Sequence, residues 1–333
     1  MKRVFLQDYK QIDFKFYQNV DDFIVIEEPI RFTGKGNFII LKIKKKSLGT
    51  WDLLEKLADG LGIYENELGY AGLKDKNATT TQYISVPKKY SKDIKKFKHP
   101  KIEIQETFLH KTKLNIGDLI GNSFQINLHE VKIEDLGIIE KRLKEIEKVG
   151  MPNFFGFQRF GRDVEKNLEK ANKIIYGDLT IKDRKLEKML ISAYQSDFFN
   201  RWLAKRIEDS QDTFKLLGGD VMLSLKENKF FTPSSISEKT QKDFENKEVV
   251  PTGLLSGRDV FRAKNEARLI EEKFDDTYIQ EKGLRRAAIV FPRNVSMKYD
   301  KTSNKCRLRF TLPKASYATV LIENILNKNL GSK

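Results

Sequence analysis

Hydrophobic and polar positions repeat along the chain with two different periods. Phe38–Ile43 is apolar and rich in β-branched residues, and Phe124–Leu128 alternates between apolar and polar residues, so both segments predict strands. Apolar residues that recur at intervals of three and four predict three helices. The first has Thr50 as its N-cap, the second spans Ile133–Lys148, and the third spans Ser192–Ile207. The first half of the chain is therefore a mixture of α and β structure.

A change of pattern follows Gly150-Met151-Pro152-Asn153, which interrupts the preceding helix. From there to about Arg286 the chain is mainly helical, and Lys226–Glu248 is polar and typical of a mobile stretch. Strand character returns at Ala287–Phe291 and is followed by a last helix. A length of 333 residues is also too long for one small domain. The pattern predicts a helical insertion within an α and β domain.

Asp75 lies in a glycine-bracketed segment, GYAGLKDKNATTTQYISV, between Lys74 and Lys76. The flanking segments Leu68–Leu73 and Thr79–Val86 both predict strands, so we expect a turn on a rigid base. Neighbouring cations favour the ionised carboxylate, which can act as a nucleophile. Taken alone, the segment is also typical of a solvated turn.

The charge balance indicates a polyanionic partner. The chain contains 62 basic and 47 acidic residues, which leaves a formal charge of +15. An excess of this size favours nucleic acid as the partner, although a lysine-rich genome composition produces the same bias.

Metal and disulfide chemistry are not indicated. Cys306 is the single cysteine, and the three histidines have no metal-ligand spacing. Asp8 and Lys10 lie where a secretory signal would be apolar, and no apolar run approaches the length of a membrane span. We therefore expect a cytoplasmic protein without metal or membrane association.

Aromatic side chains occur beside polar groups at several predicted turns. Phe23 follows Asp21 and Asp22, and Phe124 is close to Asn122. Unpaired RNA bases stack on such rings while amides bind the base edges. Each ring alone is more typical of a core position, but together with the positive charge the rings favour an RNA enzyme.

Six segments, in order, carry a family resemblance. They are DDFIVIEE at 21–28, AGLKDKNATTTQ at 71–82, KLNIGDLIGNSF at 113–124, PNFFGFQRFG at 152–161, SAYQSDFFNRWL at 192–203 and LPKASYATVL at 312–321. In these segments, and over nearly its whole length, the chain resembles the TruD family of tRNA pseudouridine synthases. The AGLKDK segment is the most specific of them.

The resemblance implies a fold and an activity. The implied fold is α+β: a pseudouridine-synthase core with a mixed, mainly antiparallel sheet flanked by helices, formed by residues 1–149 and 291–333. A mostly helical TRUD domain is inserted at residues 150–290. The implied activity converts a uridine of tRNA, usually at position 13 in the D arm, into pseudouridine without cofactor or metal. The carboxylate attacks C6 or C1′, or promotes a glycal route, and no protein partner is implied.

The resemblance also implies roles for individual residues. Asp75 matches the catalytic aspartate, and Lys15 is the nearest candidate for the lysine that pairs with it. Phe124 would stack on the target uracil, and Phe23, Asn122 and Tyr317 would line the nucleotide pocket. Candidate contacts to the RNA backbone are Lys111, Lys113, Arg159, Arg162 and Arg201. The alternative is a non-catalytic RNA-binding or ribosome-associated protein, against which the intact Asp75 argues.

Overall fold

The computed structural model describes residues 4–7, 9–161, 163–210 and 213–330. Within these ranges it contains fifteen strands and eight α-helices, which confirms the predicted α+β class. The strands are β1 (Lys15–Phe16), β2 (Phe23–Pro29), β3 (Phe38–Lys46), β4 (Gly69–Tyr70), β5 (Thr79–Pro87), β6 (Ile102–His110), β7 (Leu119–His129), β8 (Met151–Pro152), β9 (Met222–Ser224), β10 (Lys229–Phe231), β11 (Val249–Leu255), β12 (Leu284–Ala287), β13 (Ile289–Val290), β14 (Arg293–Asp300) and β15 (Lys305–Pro313). The helices are α1 (Thr50–Leu61), α2 (Ser91–Lys96), α3 (Leu136–Val149), α4 (Val164–Ile175), α5 (Arg184–Glu208), α6 (Glu238–Glu245), α7 (Asn265–Glu271) and α8 (Ala318–Leu326).

The chain divides into two compact units. The sheet unit comprises Asp13–Glu140 and Pro292–Ala315, and the insertion unit comprises the described residues of Met1–Ile12, Lys141–Phe291 and Ser316–Lys333. The domain borders implied by the resemblance remain a prediction. The compact units differ from them chiefly because the N-terminal segment and α8 belong to the insertion unit. Arg142, which belongs to the insertion unit, accounts for this in part, since its guanidinium donates to the carbonyls of Ile325 and Lys10.

The sheet unit is built on a nine-stranded sheet. Its strand order is β14-β15-β7-β2-β5-β3-β6, with β1 paired to β7 and β4 paired to β5. Only the pair of β2 and β5 is parallel among the described pairs of this sheet, which confirms the mixed, mainly antiparallel sheet. The first residues of these two strands therefore lie at the same end of the sheet, where the Thr79 hydroxyl donates to the Val20 carbonyl at 2.7 Å.

The nine-stranded sheet has two chemically different faces, because alternate side chains of a strand point to opposite sides. On the helix face, Leu53 and Leu57 of α1 pack with Leu41 and Ile43 of β3. By strand register this face also carries Lys45, Thr80, Gln82, Phe23, Val25, Glu27, Asn122 and Phe124. The opposite side, which we call the open face, carries Lys42, Lys44, Lys46, Thr79, Thr81, Ile24, Ile26, Ser123, Gln125, Asn127, Arg307 and Arg309.

The insertion unit combines helices with a second, four-stranded sheet of order β10-β9-β11-β12. Its core contains Trp202 of α5 together with Phe154 and Phe155 of the NFFGFQRFG segment. The prediction that Lys226–Glu248 is mobile is wrong, because this stretch contains β10 and α6. Burial of Phe244 anchors α6.

Candidate active site

Asp75 lies in the connection between β4 and β5, residues 71–78. β4 contains only two residues, which pair with Ser85 and Ile84. The strand predicted over Leu68–Leu73 is therefore too long. Asp75 lies in a longer connection and not at the tip of a tight hairpin. The connection is fixed instead by bonds to other segments. The Gly117 N–H donates to the Ala71 carbonyl at 2.8 Å, and the Lys74 N–H donates to the Thr50 hydroxyl at 2.8 Å.

The Asp75 carboxyl group is exposed to solvent and accepts a hydrogen bond from the Gln18 amide, with 3.2 Å between Nε2 and Oδ2. Desolvation by the surrounding protein raises the pKa of the Asp75 carboxyl, whereas the positive charges of Lys45 and Lys74 act to lower it. The predicted effect of neighbouring cations is therefore present. It opposes a larger desolvation by nearby protein atoms, which surround Asp75 although the residue itself remains accessible to solvent.

The lysines near Asp75 differ from those that the sequence predicts. Lys15 lies in β1 opposite His129, and its Nζ is 2.5 Å from Glu130 Oε1, so the structure pairs its ammonium group with Glu130 rather than with Asp75. Lys76 Nζ is 3.6 Å from Asp52 Oδ2. The cations that act on Asp75 are thus Lys74, which was expected, and Lys45, which was not.

Lys45 is a buried cation on the helix face. Its exposed fraction is 1%, and its Nζ donates to the Leu48 carbonyl. Burial and the charge of Lys74 lower the pKa of Lys45 to about 8, while the charges of Asp75 and Asp52 act to raise it. Strand alternation is the signal that identifies this lysine, since Lys45 continues the buried series of Leu41 and Ile43.

A buried ion pair lies directly beside Asp75 in the chain. Lys74 Nζ is 2.5 Å from Glu27 Oε2, and these side chains are 5% and 1% exposed. The Tyr83 N–H donates to Glu27 Oε1 at 3.2 Å, which ties the pair to β5. Thr50, expected to cap α1, accepts from Lys74 and donates to Gln82 Oε1 at 3.2 Å, while Gly49 is the N-cap. These bonds fix the backbone that precedes Asp75.

Three of the predicted pocket residues meet on the helix face. The rings of Phe23 and Phe124 are 6.0 Å apart, and Phe124 also stacks on Phe310 at 5.3 Å. Phe23 is 3% and Phe124 8% exposed, so both are buried rings. Asn122 lies two residues before Phe124, and its buried Oδ1 has no hydrogen-bond partner in the described part of the chain. This face therefore offers a free acceptor beside two rings.

Comparison with known proteins identifies the family. The sequence profile described as tRNA pseudouridine synthase D (TruD) matches residues 2–181 and 162–325. The chain is 40% identical to tRNA pseudouridine synthase D of a Nitratiruptor species, over 99% of each chain. It is 37% identical to the Wolinella succinogenes protein of the same description, again over 99% of each chain. The chain belongs to the tRNA pseudouridine synthase D family. It is accordingly an isomerase.

A solved structure supports the fold of this family member. The crystal structure of a Methanosarcina mazei protein, whose description names tRNA pseudouridine synthase D, matches with a TM-score of 0.75. The match covers 98% of this chain and 96% of that chain at 23% sequence identity. The pseudouridine-synthase fold predicted from the resemblance is thereby confirmed.

Tyr317 is the fourth predicted pocket residue, and it lies in the insertion unit. It is the N-cap residue of α8, and its ring is half-buried. The centre of its ring is 6.1 Å from that of Phe155 and 5.9 Å from the guanidinium carbon of Arg286. Burial lowers the pKa of Arg286 to about 9, and Tyr317 acts in the opposite direction.

The candidate RNA-backbone contacts differ in how free they are to bind a phosphate. Lys111 is exposed, and Lys113 donates to the Asn66 carbonyl. Arg201 is exposed but lies 3.0 Å from Asp197. Arg159 is half-buried and braces α5, because its guanidinium donates to the hydroxyls of Ser192 and Ser196, the latter at 3.0 Å. Arg162 lies outside the described residues.

The described residues contain neither a metal-binding cluster nor a membrane-spanning helix. No group of three or more His, Cys, Asp or Glu side chains there could hold a metal ion. None of the described helices has the length and apolar character needed to cross a membrane.

Proposed function

We propose that this chain isomerises a uridine of tRNA to pseudouridine, with Asp75 as the nucleophile and without a cofactor. The observation that carries the proposal is the exposed Asp75 carboxylate, which is held by Gln18 and flanked by the charges of Lys45 and Lys74. The family resemblance supports position 13 of the D arm as the target. Because the substrate is tRNA, we place the activity in the cytoplasm. The alternative, a non-catalytic RNA-binding protein, gives no reason for the intact Asp75.

The proposed reaction begins when the uridine leaves its stack, which costs a few kcal/mol. The Asp75 carboxylate then attacks C6 of the base or C1′ of the ribose, or it promotes a glycal route. The N1–C1′ glycosidic bond breaks, the base turns, and a new bond forms between C5 and C1′. Any covalent bond to Asp75 is broken again, the C5 proton is released to solvent, and N1 gains a proton. Gln18 orients the carboxylate, and Lys45 and Lys74 stabilise its charge.

The proposed pocket uses Asn122 and Phe124, which lie on the same face of the sheet as Glu27, the partner of Lys74. The free Oδ1 of Asn122 is an acceptor that suits the N3–H of uracil. Phe124 would stack on the base, worth about 1–3 kcal/mol. Its burial adds a requirement, because the side chains that cover the ring must move aside before a base can stack there.

The activity is tested with unmodified tRNA transcripts that carry tritium at C5 of uridine. We expect the protein, after dialysis against EDTA, to release one equivalent of tritium per modified uridine at an unchanged rate. Loss of activity on dialysis, with recovery on adding back a divalent metal, would remove the cofactor-free part of the proposal. No release from any tRNA would contradict the proposed activity itself.

The pH dependence tests the role of Lys45. Protonation of Asp75 causes activity to fall as pH decreases through its raised pKa, and Lys45→Met removes a charge that lowers this pKa. We therefore expect the acid limb of the single-turnover rate to move to higher pH in Lys45→Met. Lys45→Arg keeps the charge and should leave the limb near its wild-type position.

The acid limb falls in the pH range in which Lys45 is charged. The charge of Lys45 supports Asp75 below a pH of about 8 and is lost as pH rises through that value. An acid limb that is identical in wild type, Lys45→Met and Lys45→Arg would show that Lys45 does not act on the Asp75 carboxylate.

A further inference from the structure

The open face of the nine-stranded sheet carries two rows of cations that the chemistry at Asp75 does not use. We call Lys42, Lys44 and Lys46 of β3 the lysine strip, and Lys298 of β14 with Arg307 and Arg309 of β15 the arginine strip. All members of the arginine strip and Lys46 are exposed, and Lys42 and Lys44 are half-buried. Strand alternation aligns each row on one side of the sheet.

Most of these charges are not neutralised within the protein. Lys42 pairs with Glu106 at 2.5 Å, but Lys44 and Lys46 form no ion pair with any described residue. Neutral amides orient the arginines, since Arg307 Nε donates to Asn127 Oδ1 and Arg309 Nε to Gln125 Oε1, each at 3.1 Å. The positive charge of both guanidinium groups therefore remains available to an anion.

Acidic groups also occur on this side, and they limit where an anion can bind. Glu28 is 3.2 Å from Arg293, so these charges largely compensate each other. Glu103 lies opposite Lys44 in the register of β3 and β6, and Asp21 lines the adjacent cleft. Acidic neighbours therefore compensate part of the lysine strip, and the least compensated cations are Lys46, Arg307 and Arg309.

The solvent-accessible surface between the strips is mainly polar and aliphatic. Tyr83 of β5 lies opposite Lys42 on this face, but it is only 7% exposed and packs on Phe32 and Phe108, so its ring is not available for stacking. A cleft of about 390 Å³ next to the lysine strip is lined by Ile24, Ile26, Thr79, Thr81 and residues around them, none of which is aromatic. Single-stranded RNA is bound by stacking on rings, whereas double-helical RNA is bound through phosphates and 2′-hydroxyls. Four strand spacings separate β3 from β15, or roughly 19 Å, which is on the scale of a nucleic-acid double helix.

We propose that the open face binds the backbone of a double-helical RNA segment, with one strip of cations against each strand. The cleft reaches Val20, Asp21 and Thr79, at the sheet edge where Gln18 holds Asp75. The proposed base pocket lies on the helix face, so the bound segment would be a helical arm of the substrate from which the target nucleotide reaches that pocket around this end of the sheet. This assignment rests on the proposed tRNA substrate.

Binding of a labelled RNA hairpin of about one helical turn tests the proposal, with an unstructured single strand of the same composition as a second probe. The variants are Lys44→Glu/Lys46→Glu and Arg307→Glu/Arg309→Glu. The control is Lys239→Glu/Lys242→Glu on exposed positions of α6, which makes the same change in net charge. Thermal unfolding of each variant verifies that it is folded.

We expect each strip variant to bind the hairpin roughly 10-fold more weakly than the control and to lose about two from the slope of log affinity against log salt. The KM for tRNA should rise while kcat is kept. Hairpin affinities equal to that of the control would overturn the proposal, as would a loss confined to the single strand. Asp75→Asn should bind the hairpin normally, so failure of the chemistry and failure of this surface are distinguishable.

Discussion

Asp75→Asn is expected to reduce pseudouridine formation by roughly four orders of magnitude or more, because an amide cannot act as an anionic nucleophile. The substitution keeps the size and position of the side chain, which is exposed, so the fold should be unaffected. Release of tritium from C5-labelled uridine in tRNA measures the rate. Asp75→Ala should give the same loss.

The control for this prediction is Asp59→Asn, which makes the same chemical change at an exposed position of α1. It should retain full activity. Both Asp75 variants should still bind tRNA, since backbone contacts supply most of the affinity. Turnover that survives in Asp75→Asn would remove this carboxylate from the role of nucleophile.

Glu27→Gln is expected to lower the free energy of unfolding by about 3–5 kcal/mol, because it leaves the charge of Lys74 buried without a partner. The ion pair is 2.5 Å long, and both side chains are almost completely buried. Activity should also fall in the folded protein, because Lys74 directly precedes Asp75. Urea denaturation at constant m-value measures the stability, and single-turnover rates measure the activity.

The matched control is the double variant Glu27→Gln/Lys74→Met, in which no buried charge is left unpaired. It should recover much of the stability lost in Glu27→Gln, while activity remains reduced because the support of the connection is altered. A cost below about 1 kcal/mol for Glu27→Gln would show that the pair is not a desolvated ion pair.

Local pattern predicted the long elements of the sheet unit and failed for short ones. Phe38–Ile43 and Phe124–Leu128 are parts of β3 and β7, because their apolar positions match a buried sheet face. β4 has two residues, and β9 and β10 have three each. Two or three residues are too few to show a hydrophobic period, so such strands cannot be predicted from the local pattern. Their position is determined by pairing with strands elsewhere in the chain.

The motif predicts Asp75 as the nucleophile and Lys74 as a neighbouring charge, but it does not predict that Lys45 acts on Asp75. Lys44, Lys45 and Lys46 are chemically identical in the sequence, and the strand register alone separates the buried middle lysine from its exposed or half-buried neighbours. Lys15 was the expected partner, but the pairing of β1 with β7 places its ammonium group beside Glu130.

The bonds that support Asp75 connect positions far apart in the chain. The Lys74 N–H donates to the Thr50 hydroxyl, and Glu27 pairs with Lys74 on the helix face. Thr50 is a typical N-cap residue, so its local context predicts a cap. Its actual role depends on how α1 packs on the sheet, which local periodicity does not specify.

Site-resolved mapping of pseudouridine in total RNA, treated with wild-type protein or with Asp75→Asn, tests the central claim most directly. We predict one new pseudouridine in the D arm of tRNA, at position 13, with the wild-type protein and none with the variant. Equal modification by both proteins, or modification that is absent from tRNA, would contradict the account.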